Sequence, residues 1–170
     1  VVGWAPRGVD NLNDDGGTGG TDGDGSDSSV HVVLTPMDGL TVVAGTGEKV
    51  NGNQMDDVET FGATYTYGPV SAGIQVSEID LAAANTGQAG DSETTYVGLA
   101  FNVNESLSLS YGEQTTEIDG QSLDQELEGF SIGYSMGGIS LKAHSNEGTN
   151  MGGTASNASE HTEISVSFAF

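Results

Sequence analysis

The chain has 170 residues and carries 3 Lys plus Arg against 25 Asp plus Glu, a net charge of -22. So few basic residues form no basic patch, which excludes nucleic acid as a partner and makes cations the natural small ones. No cysteine is present, so thiol catalysis, disulfide frameworks and zinc–thiolate sites are excluded.

The hydrophobic share of 35% is low for a globular chain, and 27 glycines among many Ser and Thr suit strands and loops better than helices. No stretch approaches the ~18 consecutive apolar residues of a transmembrane helix. Barrel strands escape that test, because their hydropathy signal is weak. The chain opens on Val1, and is expected to be a processed form or a fragment.

Residues 1–4 read as the end of a strand. Residues 8–29 form an acidic, Gly- and Asp-rich segment that cannot bury apolar surface, expected as an external loop of a single domain spanning 1–170. Strand-like runs then follow at 29–36, 39–50, 57–67, 70–81, 93–103, 106–117, 126–136, 139–148 and 160–170, with no helical period. Short turns are expected at Pro36-Met37-Asp38-Gly39, Gly68-Pro69, Asn102-Val103-Asn104-Glu105 and Gly137-Gly138. Longer connections are expected near 51–56, 82–92, 113–125 and 149–159. Strict alternation of short and long connections is the rhythm of an up-and-down meander, as in transmembrane barrels.

Each run has one apolar face. Phe61, Ala63, Tyr65 and Tyr67 share a face, as do Val97, Leu99, Phe101 and Val103, and Ile164, Val166, Phe168 and Phe170. The alternate positions are mostly Ser, Thr, Gly, Gln, Lys and His, too polar and small for a sandwich core but suited to a water-facing wall. Tyr65, Tyr67, Phe101, Tyr134, Phe168 and Phe170 lie beside short turns or the chain end, where a bilayer interface would hold their rings. The expected fold is therefore an all-β, up-and-down antiparallel transmembrane β-barrel.

The segments Tyr134-Ser135-Met136-Gly137-Gly138-Ile139-Ser140-Leu141-Lys142, Gly152-Gly153-Thr154 and His161-Thr162-Glu163-Ile164-Ser165-Val166-Ser167-Phe168-Ala169-Phe170 resemble the C-terminal portion of alphaproteobacterial general porins. The resemblance is sharpest over 126–170 and a matter of pattern over 30–125. It implies an outer-membrane location in a Gram-negative bacterium, a homotrimer of barrels of about sixteen strands, and passive diffusion of small hydrophilic solutes and ions. This chain would supply about nine of those strands; the half that carries the constriction loop is expected outside this sequence. The resemblance also implies that Phe168 and Phe170 form the signal read by the barrel-assembly machinery, and that basic wall residues face the pore.

Lys142 and His144 share the polar face of their strand, and hairpin pairing sets His144 beside Glu163 or Ser165, so these four are the candidate pore-lining residues. The ordinary reading of Lys142 is a solvated lysine paired with a nearby Glu. Asp14, Asp15, Asp22, Asp24 and Asp27 offer oxygens to a hard cation, and Asp22, Asp24 and Asp27 are the candidate Ca2+ ligands. Asp22-Gly23-Asp24-Gly25-Ser26 opens like an EF-hand loop, but its glycine is misplaced and position twelve is Val33. No cofactor is required. The three histidines lack zinc-site spacing, the glycine runs lack a P-loop Lys, and no nucleophile motif supports catalysis.

Two alternatives stay open: a small complete outer-membrane barrel with a structural or adhesive role, and a secreted acidic calcium-binding β-adhesin. Acidic loops and an acidic lumen would favour cations in any open channel.

Overall fold

The computed structural model describes residues 26–51, 54–81 and 91–169. Nine strands follow in order: β1 (Ser26–Met37), β2 (Leu40–Asn51), β3 (Gln54–Tyr67), β4 (Val70–Asp80), β5 (Ser92–Asn102), β6 (Leu107–Ile118), β7 (Gln125–Met136), β8 (Ile139–Thr149) and β9 (Ser159–Phe168). They form one sheet in chain order, every neighbouring pair antiparallel. No α-helix occurs among the described residues; a single 3-10 turn, Met151–Gly153, sits between β8 and β9.

The up-and-down meander expected from the sequence is thus present, and the sheet is open. Among the described residues β1 pairs only with β2, and β9 only with β8. β1 carries register shifts between Ser26 and Ser28 and between Leu34 and Met37. The second holds Pro36, whose missing N–H suits an edge strand beside an irregularity.

Four short connections gather at one end of the sheet, at residues 38–39, 68–69, 103–106 and 137–138. Gly137-Gly138 has φ of 60° and 83°. Positive φ at both central positions is the signature of the hairpin turn whose twist matches the flanking strands, and two glycines adopt it without steric cost. Asn104 builds the β5–β6 turn from its side chain: Oδ1 accepts the backbone N–H of Ser106 at 2.8 Å and of Leu107 at 3.0 Å.

The opposite end departs from expectation in two places. The connection expected at 51–56 is a two-residue link, because the β2–β3 ladder runs on through Lys49↔Asp56 and Val50↔Met55 to Asn51↔Gln54. The loop expected at 113–125 shrinks to 119–124, since β6 runs to Ile118. Strict alternation of short and long connections therefore fails at the β2–β3 hairpin. The acidic segment also ends earlier than expected, with β1 beginning at Ser26; residues 1–4 and the rest of that segment lie outside the described residues.

Two loops at this end dock on one another. Asn150 Nδ2 donates to the carbonyl of Asp124 at 3.2 Å, and Gly152 N–H donates to Gln125 Oε1 at 2.9 Å. Gly153 has φ of 69°, and a Cβ there would come within 2.6 Å of the Gln121 side chain. Only glycine fits that approach.

Candidate functional site

Antiparallel register decides which side chains share a face. Phe61 stands opposite Val76, Ala72 opposite Leu99, Leu99 opposite Tyr111, Tyr111 opposite Phe130, and Leu141 opposite Tyr134 and Val166. These rows form one apolar band across the sheet, and it is bare. Phe61 is 55% exposed, Leu99 51% and Ile164 70%. A soluble monomer rarely leaves so continuous an apolar surface uncovered. Tyr65, Tyr67, Phe101, Tyr134 and Phe168 are exposed on this face beside the short turns, as expected. Phe170 lies outside the described residues.

The other face is mostly hydroxyls, amides and glycines, with Val33, Val43, Val58, Ile79, Tyr96 and Leu127 among them, and it holds the sheltered residues. Val58, Thr60, Gln75, Ser77 and Thr116 are buried there. Cross-strand hydroxyl pairs stitch it: Thr60 to Ser77 at 3.1 Å, Thr94 to Thr116 at 3.0 Å, Ser110 to Ser131 at 2.6 Å and Thr66 to Ser71 at 2.9 Å. Gln75 is fully enclosed; its Nε2 donates to Ser77 Oγ at 3.0 Å while its Oε1 is unsatisfied. Small polar side chains gain little by packing against apolar ones, so a face built mostly of them is poorly suited to a dry apolar core.

Lys142, His144, Glu163 and Ser165 all fall on this polar face. Lys142 is paired with Ser165, and His144 with Glu163. The expectation that His144 faces Glu163 or Ser165 resolves to Glu163, with Nε2 3.8 Å from Oε2. Lys142 is exposed and makes no ion pair among the described residues, so the carboxylate partner of its ordinary reading is missing. A concavity of about 810 Å³ reaches from Asn104 and Glu105 past Ser131 to Lys142 and His144.

His161 was not a candidate from the sequence, yet it joins this group. Its Nε2 lies 3.7 Å from the same Glu163 oxygen, and its ring centroid lies 5.8 Å from that of His144. The two histidines are seventeen positions apart in sequence, which hides them from any ligand-spacing rule. The β8–β9 register brings them together: once His144 faces Glu163, His161 faces Asn146 one row further along. The signal was available in the same pairing sum that placed Glu163.

The acids lie elsewhere than expected. Glu59, Glu78, Glu93 and Glu117 stand in a row across β3 to β6, each opposite the next. Glu113, Glu128, Glu147 and Glu160 form a second row across β6 to β9. Both rows are on the apolar side, continuing it toward the long loops. Tyr111 marks the boundary, its hydroxyl 2.6 Å from Glu113 and 2.9 Å from Glu128. Among strand residues with described side chains, the polar face carries Glu163 as its one acid. The acidity expected on the polar face is therefore corrected: that face is nearly neutral among strand residues with described side chains, and the glutamates stand on the apolar side toward the long loops.

Asp22 and Asp24 lie outside the described residues, as does the side chain of Asp27 on β1. No family model matches the chain, and no curated protein matches it.

Proposed function

We propose that this chain forms part of the wall of an outer-membrane porin, a water-filled barrel through which small hydrophilic solutes and ions diffuse passively. The observation that carries the reading is the division of one continuous sheet into an exposed apolar face and a hydroxyl- and glycine-rich polar face. Lipid would cover the first and water would wet the second. Strands of 10 to 14 residues are long enough for the ~9–11 residues of a tilted spanning strand. The aromatic girdle beside the short turns would sit at the periplasmic interface, and the glutamate rows with the longer loops would face outward.

Closure is part of the proposal. β1 and β9 run in the same direction, as the first and last of nine alternating strands must. An all-antiparallel barrel therefore needs an odd number of further strands between their free edges, and seven would give about sixteen. The homotrimer and the barrel-assembly signal at Phe168 and Phe170 belong to the same reading and rest on the resemblance to general porins. Cation preference would come from the rim carboxylates, whose field raises the local cation concentration at the mouth.

The test is conductance. Protein extracted from the outer membrane and inserted into a planar bilayer should give stepwise ohmic currents, with reversal potentials favouring cations under a KCl gradient. Anion selectivity would refute the charge argument. Extraction without detergent together with absence of conductance would refute the porin itself and favour the secreted adhesin.

A further inference from the structure

We propose that His144, His161 and Glu163 form a binding site for a divalent transition-metal ion on the polar face of the β8–β9 hairpin. Two imidazoles and one carboxylate offer three ligand atoms that all lie within 4.8 Å of one another. Ligand–metal distances of ~2.0–2.2 Å put neighbouring donors of a tetrahedral ion roughly 3.3–3.5 Å apart. The observed separations, 3.7 and 3.8 Å to Glu163 Oε2, need only small rotamer adjustments to reach that.

The chemistry of the donors selects the ion. Imidazole nitrogen suits Zn, Ni, Co and Cu, whereas Ca2+ and Mg2+ seek all-oxygen shells. Three protein ligands leave a position open to water, the arrangement of an exchangeable site. Both histidines and Glu163 are accessible, at 35%, 63% and 55% exposure, so an ion reaches them without opening the fold. Gly129 and Ser131 on β7 keep the neighbouring rows low. Lys142 is one row away on the same face and opposes cation binding, while the net charge of -22 enriches divalent ions around the chain as a whole.

The site stands on the geometry of one hairpin, and its metal affinity does not depend on whether the barrel conducts. The test is therefore a Co2+ titration of the full chain in detergent, read by visible absorption, with excess Ca2+ occupying the diffuse carboxylates. One Co2+ per chain with d–d bands, displaced by Zn2+ and retained against Ca2+, is expected. His161→Ala and Glu163→Gln should each weaken it at least about 10-fold, since even losing an outer-shell partner of a metal site costs that much. Binding that Ca2+ abolishes, or that both variants leave unchanged, would overturn the proposal.

The unsubstituted protein gives a second readout that needs no variant. Of the three imidazole signals in an NMR spectrum, Co2+ should shift or broaden those of His144 and His161 and spare His31 on β1. An equal effect on all three, or on none, would overturn the site.

Discussion

Tyr111 on β6 donates its hydroxyl toward Glu128 on β7 at 2.9 Å, where the apolar band gives way to the glutamate rows. Glu113 stands on the same spot, 2.6 Å from that hydroxyl and directly opposite Glu128 in the ladder. Like charges directly opposed across strands destabilise a sheet, and the phenol gives both carboxylates a shared donor.

Tyr111→Phe keeps the ring and removes the donor, so the two carboxylates are left facing each other. The unfolding midpoint in detergent should fall at low salt. It should recover as ionic strength rises from about 0.01 M to about 1 M, where the screening length shrinks from about 30 Å to about 3 Å. A midpoint equal to that of the parent at low salt would show that the hydroxyl is dispensable.

The strands were legible because period-2 alternation is a property of each strand alone: all nine expected runs overlap β1 to β9, and Gly68-Pro69 and Gly137-Gly138 fall on turns. What escaped the sequence belongs to pairs of strands. Whether the ladder continues past Lys49 and Asp56 depends on both partners, so a polar run of Asp, Asn and Gln read as loop was strand. His161 joined Glu163 and His144 for the same reason, register. The glutamate rows were legible in principle: Glu78 follows Val76, Glu113 follows Tyr111 and Glu128 precedes Phe130 by two residues each, the spacing that keeps a side chain on the apolar side. Net charge gives no hint of that side, and for this reason the acidity was expected in the lumen.

Leu99 and Ala100 are adjacent in β5 and point to opposite faces, Leu99 opposite Tyr111 and Ala100 opposite Ser110. An arginine on the lipid side near the bilayer midplane costs roughly 2–4 kcal/mol, whereas a lumen position tolerates it. On the proposed porin reading, Leu99→Arg should lower folding efficiency into lipid vesicles steeply, and Ala100→Arg should fold and narrow the channel. The decisive measurement is the folded fraction by heat-modified gel mobility. Equal tolerance of both would mean that lipid does not cover the apolar face.

Gly153 and Gly152 allow the loop contact to be separated from backbone strain. Both have φ of 69°, but a Cβ on Gly152 meets nothing within 4 Å whereas one on Gly153 strikes Gln121. Either alanine pays roughly 1–2 kcal/mol for the left-handed backbone. Gly153→Ala alone should also lift residues 150–158 off residues 119–124, seen as faster exchange at the Gly152 backbone amide and the Asn150 side-chain amide. Identical exchange in the two variants would show that the close approach to Gln121 contributes nothing beyond strain.

Lys142 offers the sharpest test of the polar face as a channel wall. It is an exposed cation on that face, without an ion pair among the described residues, and the one acid on that face among strand residues with described side chains, Glu163, is one row away. A unit charge acts on an ion 4 Å away with about 1 kcal/mol in water, and with more where the wall excludes solvent. Lys142→Glu reverses that charge, so the cation-to-anion permeability ratio should rise several-fold, the change fading at high salt. Lys142→Gln should give about half the shift in free energy. The substitution Leu141→Gln one residue away, on the apolar face, should leave the reversal potential alone. A ratio unmoved by Lys142→Glu would place this face away from the ion path, and the sheet would have to be read as a wall with no channel behind it.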